Sequence, residues 1–184
     1  MKPKEPNNQS FFLAGDCADR AYLNVRDNPT HNNPFLNLIE VKAFVESLWT
    51  RYKKLNVADR NFLQEAKKHF HSRFWEMYLA VTLSEHAFEL KKDRPEVPEF
   101  YFLYNGRKIW VEAVTPGPGE KEEDRVPELR FDEVNEIDPE RIILRFTNSL
   151  VDKRNKYNKA LQKNIIAPDD GYLLAINSAG IPSS

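Results

Sequence analysis

Cysteine is nearly missing from this chain, whose 184 residues carry a single one, Cys17. A lone thiol excludes an internal disulfide. With no Cys or His at metal-ligand spacing around it, it reads as a spectator rather than a nucleophile or zinc ligand. Long apolar runs are missing too. None approaches the roughly 20 residues needed to cross a bilayer. The opening Met1-Lys-Pro-Lys-Glu-Pro-Asn-Asn has no apolar signal core. A cytoplasmic protein with no membrane partner is therefore expected. Neither a glycine-rich phosphate loop nor a Ser-His-Asp spacing is present. Charge of one sign is also lacking: the formal net charge is −1, which argues against a large electrostatic footprint on nucleic acid.

What is there suits a folded domain. The chain is 41% hydrophobic and 12% aromatic, and its length supports one domain with a real core. Residues 1–34, rich in Asn, Pro and Asp, read as an irregular leader with one short element near Phe11 to Leu13. Residues 35–184 read as the single domain. A first helix is expected over residues 35–55, where Leu38, Val41, Val45, Leu48 and Trp49 recur at helical spacing. A second is expected after Asp59 as N-cap, continuing itself or through a successor over residues 69–90. Pro95 and Pro98 end it. The segment from Gly117 to Glu140 is acidic and reads as a long surface excursion with one short helical turn. A basic amphipathic helix follows over residues 139–163; from Arg141 to Lys163 it carries Arg141, Arg145, Lys153, Arg154, Lys156, Lys159 and Lys163 against Asp152 alone. Residues 172–177 read as a buried strand. This order predicts an α/β architecture, a mixed sheet flanked by helices.

The most informative stretch lies between the helices. Residues 99–104 and 107–112 have strand composition, and Asn105-Gly106 between them is a strong two-residue hairpin signal. A two-residue loop sets the register. Tyr104 then opposes Arg107, Phe102 opposes Ile109, and Glu99 opposes Glu112 on the same face, with Cβ atoms about 5 Å apart. Like charges so placed destabilise the pair unless something positive lies between them. A hard divalent cation such as Mg²⁺, or Mn²⁺, is the simplest candidate. The other reading is two solvated acids at a frayed hairpin mouth.

Other residues bear on the same question. Glu76 sits in the most apolar helix, between Trp75 and Met77, where an unpaired charge is costly. It either pairs with Arg73, one turn earlier, on a solvent-facing edge, or it points at the hairpin mouth and joins Glu99 and Glu112. Phe146, Leu150, Lys153, Tyr157 and Leu161 form a helical stripe, so Lys153 lies on the face turned to the sheet. There it either snorkels out or leans over an acidic metal site, where it stays protonated and faces a scissile phosphate. Arg145, Asn148, Asp152 and Lys156 occupy an adjoining polar face, and Arg145 is the preferred phosphate clamp because its planar fork suits bidentate contact. Lys108 is roughly 13 Å along the strand from Glu112, too far to serve the same centre. Of His69, His71 and His86, only His69 lies on the Arg73 and Glu76 side.

Glu76 within Phe74-Trp-Glu-Met-Tyr-Leu-Ala, Pro98-Glu99-Phe100, Trp110-Val-Glu-Ala-Val and the helix segment Arg145-Phe-Thr-Asn-Ser-Leu-Val-Asp-Lys153 together resemble the PD-(D/E)xK, restriction-endonuclease-like nuclease superfamily. The branch they resemble is a little-characterised bacterial one. The resemblance spans residues 70–177 and implies a restriction-endonuclease-like fold acting on nucleic acid, DNA before RNA. It implies Glu76, Glu99 and Glu112 as ligands of Mg²⁺ or Mn²⁺, and with Lys153 as the catalytic set. Arg145 and Lys156 would then hold the substrate. Two positions depart from the pattern: Glu99 stands where Asp is usual, and Val114 stands where the motif lysine belongs. The resemblance accommodates the second by moving the lysine to the helix, at Lys153. Two alternatives stand beside a metal-dependent nuclease. One is a catalytically inactive module of that fold binding nucleic acid or protein; the other is a structural domain whose acidic loop binds a basic partner. The ending Ile181-Pro-Ser-Ser, just after the last strand, suggests either a piece of a longer chain or a core completed by a partner subunit, a homodimer in the simplest case.

Overall fold

The computed structural model describes residues 9–27, 37–93, 98–127 and 138–182. The chain divides into two compact units, Met1–Glu85 and His86–Ser184. The chain is mixed α/β: the first unit is helical, and the second has a three-stranded mixed sheet with a long helix against it. No helix among the described residues is long and apolar enough to cross a membrane.

The first unit is helical: α1 spans Arg20–Asp27, α2 Leu38–Lys54, α3 Phe62–Ala66 and α4 Phe70–Glu85. Asn37 begins α2, its side chain accepting from the amides of Ile39 and Glu40, a cap worth about 1 kcal/mol. The expected start at residue 35 lies outside the described residues. Asp59 does not cap the next helix as expected. Asn61 holds the N-cap position of α3, and the Asp59 carboxylate instead accepts from the Asn61 amide at 2.9 Å. Asp19 serves two helices at once, accepting from Tyr22 N in α1 and from Phe70 N at the start of α4. Helix α4 ends at Glu85 rather than near residue 90, and Ala87 follows at φ 65°.

No regular element forms at Phe11 to Leu13, contrary to expectation. The two phenylalanines are core residues nonetheless. Phe11 is fully buried and packs its ring against Tyr22, Trp49 and Phe70. Burying such a ring stabilises by roughly 1.5–3 kcal/mol. Helix α1 was not foreseen, because a run of eight residues with few apolar side chains is too short to stand out within the polar leader.

The second unit holds β1 (Phe100–Tyr104), β2 (Arg107–Val114), α5 (Pro139–Gln162) and β3 (Gly171–Ile176). Strands β1 and β2 pair antiparallel in the expected register, Tyr104 with Arg107 and Phe102 with Ile109. Asn105 and Gly106 both take positive φ, 51° and 76°, as a type I′ turn requires. Strand β3 joins β2 in parallel, with Trp110 beside Tyr172 and Glu112 beside Leu174. It lies at the sheet's edge and is half-buried, not buried as expected. One sheet face carries Tyr101, Trp110 and Tyr172, against which α5 and the turn after it place Tyr157, Ala160, Leu161 and Ile166. The opposite face buries Phe100, Phe102 and Val111. The acidic excursion contains the expected single helical turn, at Glu122–Asp124. Its residues 128–137, like leader residues 1–8 and 28–34, lie outside the described ones.

Candidate functional site

The second unit gathers its charge around Glu112. Alternation along β2 puts Glu112 on the face of Trp110, where α5 lies, and its side chain is fully buried. A carboxylate taken out of water costs several kcal/mol unless compensated. Compensation comes from α5: Lys153 Nζ lies 2.5 Å and Lys156 Nζ 2.7 Å from Glu112 Oε1. Residues three apart share a helix face, so both ammonium groups reach one oxygen. The Tyr172 hydroxyl donates to the other oxygen, Oε2, over a long 3.4 Å. Burial pushes the Glu112 pKa up, but the charges of Lys153 and Lys156 and their hydrogen bonds outweigh it, and the net shift is downward. Tyr172 is driven far above the usual phenol range, first by burial and then by the charges of Glu112 and Glu99. It is a proton donor at every physiological pH.

Glu99 sits one residue before β1 and is half-buried. The ladder ends at the pair Phe100 and Val111, one step short of Glu99, which lies in a bend; its charge nonetheless reaches the phenol of Tyr172, whose hydroxyl donates to Glu112. Lys153 faces the sheet, as its helical stripe predicted. Lys156 departs from expectation, since it shares the carboxylate with Lys153 rather than lying on a separate polar face. Arg145 donates from Nε to the Gly117 carbonyl at 3.0 Å, so part of its fork holds the loop that follows β2. Lys108 is bound to Asp93 at 3.1 Å and lies over the rings of Tyr101 and Trp110.

Glu76 belongs to the first unit. It is 3% exposed, and both oxygens have partners there. Oε1 accepts from the Tyr52 hydroxyl and Oε2 from Arg73, each at 2.7 Å. Arg73 also reaches Asp59 at 3.2 Å and stands over the Phe62 ring. The pairing with Arg73 expected for a solvent-facing edge thus occurs inside the unit. Tyr52 could not have been assigned to Glu76 from spacing, because they are 24 residues apart on different helices. His69 is exposed at the head of α4.

Among the described residues of either unit, no group of three or more His, Cys, Asp or Glu side chains is placed to hold a metal ion. The second unit does offer a smaller donor set. Mg²⁺ is commonly held by one or two carboxylates, with water and phosphate oxygens completing its shell. Glu99 and Glu112 are oxygen donors of that kind; among the described residues Glu112 Oε2 has the long Tyr172 contact, while Oε1 is taken by two ammonium groups.

Tyr172 is the site residue that sequence reasoning missed. Its place depends on the parallel pairing of β3 with β2, which no local pattern announces. No family model, no curated protein and no solved structure matches this chain.

Proposed function

We propose that the second unit hydrolyses phosphodiester bonds of nucleic acid, DNA in the first instance, on a restriction-endonuclease-like sheet. The observation that carries the reading is the contact of Lys153 with the buried Glu112 carboxylate. A lysine beside a strand carboxylate is the arrangement that a phosphodiesterase needs, and Val114 cannot supply it. Glu99 and Glu112 are the residues that would hold Mg²⁺ or Mn²⁺. When bound, such an ion neutralises phosphate charge and makes a water more acidic.

The protein's own groups do the rest. In hydrolysis a water oxygen bonds to phosphorus as the bond to the leaving oxygen breaks. Glu112 orients Lys153, whose ammonium donates to the phosphate oxygen on which negative charge grows. Lys156 sits one turn further along α5 and holds the same or the adjoining phosphate. Tyr172 fixes the second oxygen of Glu112 by donating to it. The proposal for this unit rests on Glu99, Glu112 and Lys153; Glu76 takes no part in it.

Incubating the purified chain with plasmid and single-stranded DNA in Mn²⁺ tests the reading, with Glu112→Ala as control. Cleavage by the parent and none by the variant supports it; equal cleavage by both removes the site.

A second reading is favoured by one observation: both ammonium groups lie on a single oxygen of Glu112, so that carboxylate is already compensated without a metal ion. On that reading the unit binds nucleic acid or a protein partner through α5 without turnover. DNA retention by the parent at low salt, with no product in any metal, would favour it.

A further inference from the structure

We propose that α5 carries a docking face for a second copy of this chain, the two helices meeting antiparallel about a two-fold axis at Thr147. The pairing is independent of the phosphodiesterase reading.

Of its 24 residues, α5 buries Ala160 alone. Lys153, Lys156, Tyr157 and Ala160 lie on the side that meets the sheet. About a third of a turn round the helix runs a second apolar stripe, turned away from the sheet. On it Ile143, Leu144, Leu150 and Val151 are 62%, 37%, 39% and 45% exposed. Single exposed aliphatic residues are ordinary, but a contiguous apolar patch marks an interaction surface.

The order of residues along the stripe says what covers it. Leu144 and Leu150 stand three residues either side of Thr147, Ile143 and Val151 four, and Glu140 and Arg154 seven. Such steps of three and four are those of a coiled-coil seam. Reversing the helix about Thr147 sets aliphatic against aliphatic at each step and acid against base at both ends. A parallel pair would instead set Glu140 beside Glu140 and Arg154 beside Arg154, a costly juxtaposition. The complement of this face is therefore the same face turned round, which is the isologous contact of a two-fold dimer.

The charged ends are available for it. Glu140 and Arg154 are both exposed, and neither side chain has a partner among the described residues. They are about 21 Å apart along the helix, too far to pair within one copy. At the axis, the Thr147 hydroxyl donates to the Ile143 carbonyl at 2.8 Å, so two threonines meet there with no hydroxyl left unpaired.

Sedimentation equilibrium of the full chain tests the pairing. One helix face is small beside the roughly 1,200–2,000 Å² of a standard interface, so the measurement covers the micromolar range. The expected result is a reversible equilibrium between monomer and dimer. Glu140→Arg or Arg154→Glu alone should weaken it about tenfold, because each reversal turns two symmetry-related attractions into repulsions. Both reversals in one chain should restore the parent affinity, since acid then meets base again across the axis. Ile143→Asp, at the most exposed aliphatic position, should give a monomer with an unchanged circular dichroism spectrum. A parent chain that stays monomeric throughout would overturn the proposal. So would a dimer indifferent to Ile143→Asp, or single reversals that the double variant does not rescue.

Discussion

The Lys153 ammonium lies 2.5 Å from Glu112 Oε1, although 41 residues separate the two in the chain. A buried strand carboxylate and a lysine leaning from the helix above it are held together by mutual need. Without the lysines, Glu112 would be a charge sealed from water. Without Glu112, two ammonium groups would repel each other on one helix face. The pair therefore has both a structural and a chemical consequence, and they separate by experiment.

Lys153→Met removes the ammonium while keeping the apolar stem that packs along α5. On the proposed reading, cleavage should fall by about 10²–10³-fold, the usual loss on deleting one stabiliser of developing charge. Lys156→Met should cost less, because that reading has it hold rather than face the reacting phosphate. Steady-state cleavage of a fluorescent oligonucleotide measures both, and equal losses would remove the distinction between them.

Acid should loosen the second unit through Glu112. Its folded pKa lies below the ordinary glutamate value, so the group releases its proton more readily folded than unfolded. The stability it contributes is fully present above the unfolded value of about 4.3. That contribution is lost as pH falls through the lower, folded one. Urea midpoints at pH 7 and pH 3 should differ more for the parent than for Glu112→Gln, which cannot titrate. Identical pH dependence in the two proteins would contradict the assigned pairing.

In the first unit, Tyr52→Phe deletes one hydroxyl and strands Glu76 Oε1 away from water. The expected cost is about 1–3 kcal/mol, the penalty of a buried acceptor left unpaired. Chemical denaturation followed by far-ultraviolet circular dichroism would register it. Burial and the Glu76 charge both push the Tyr52 phenol far above its ordinary value, so its absorbance should show no ionisation until the unit unfolds in alkali.

Gly106→Ala tests the hairpin. The backbone there has φ 76°, and an added Cβ would meet nothing within 4 Å. The change is thus purely conformational, with an expected cost of about 1–2 kcal/mol. A thermal melt would measure it, and a neutral result would mean that the turn relaxes to another type.

Much of this protein is local in origin. Asn105-Gly106 allows only a tight turn with both residues at positive φ, and that turn fixes which residues of β1 and β2 oppose each other. Counting from the turn predicts Glu99 beside Glu112, one step beyond the ladder's last pair, Phe100 and Val111. The spacing of Phe146, Leu150, Lys153 and Tyr157 turned Lys153 towards the sheet, because helix periodicity needs no knowledge of the partner.

Three features needed the tertiary structure. Lys156 reaches Glu112 because α5 crosses the sheet at a height that sets one carboxylate between two turns, a placement decided by Trp110, Tyr157 and Ala160 packing together. Tyr172 joins them through the register of a parallel pair, whose long connection leaves no turn from which to count. Glu76 found Tyr52 because α2 and α4 pack against each other, and the polar groups caught between them satisfy one another. Short-range sterics and periodicity act within a few residues and are written in the chain. Contacts between distant elements depend on packing volume, which no segment carries by itself.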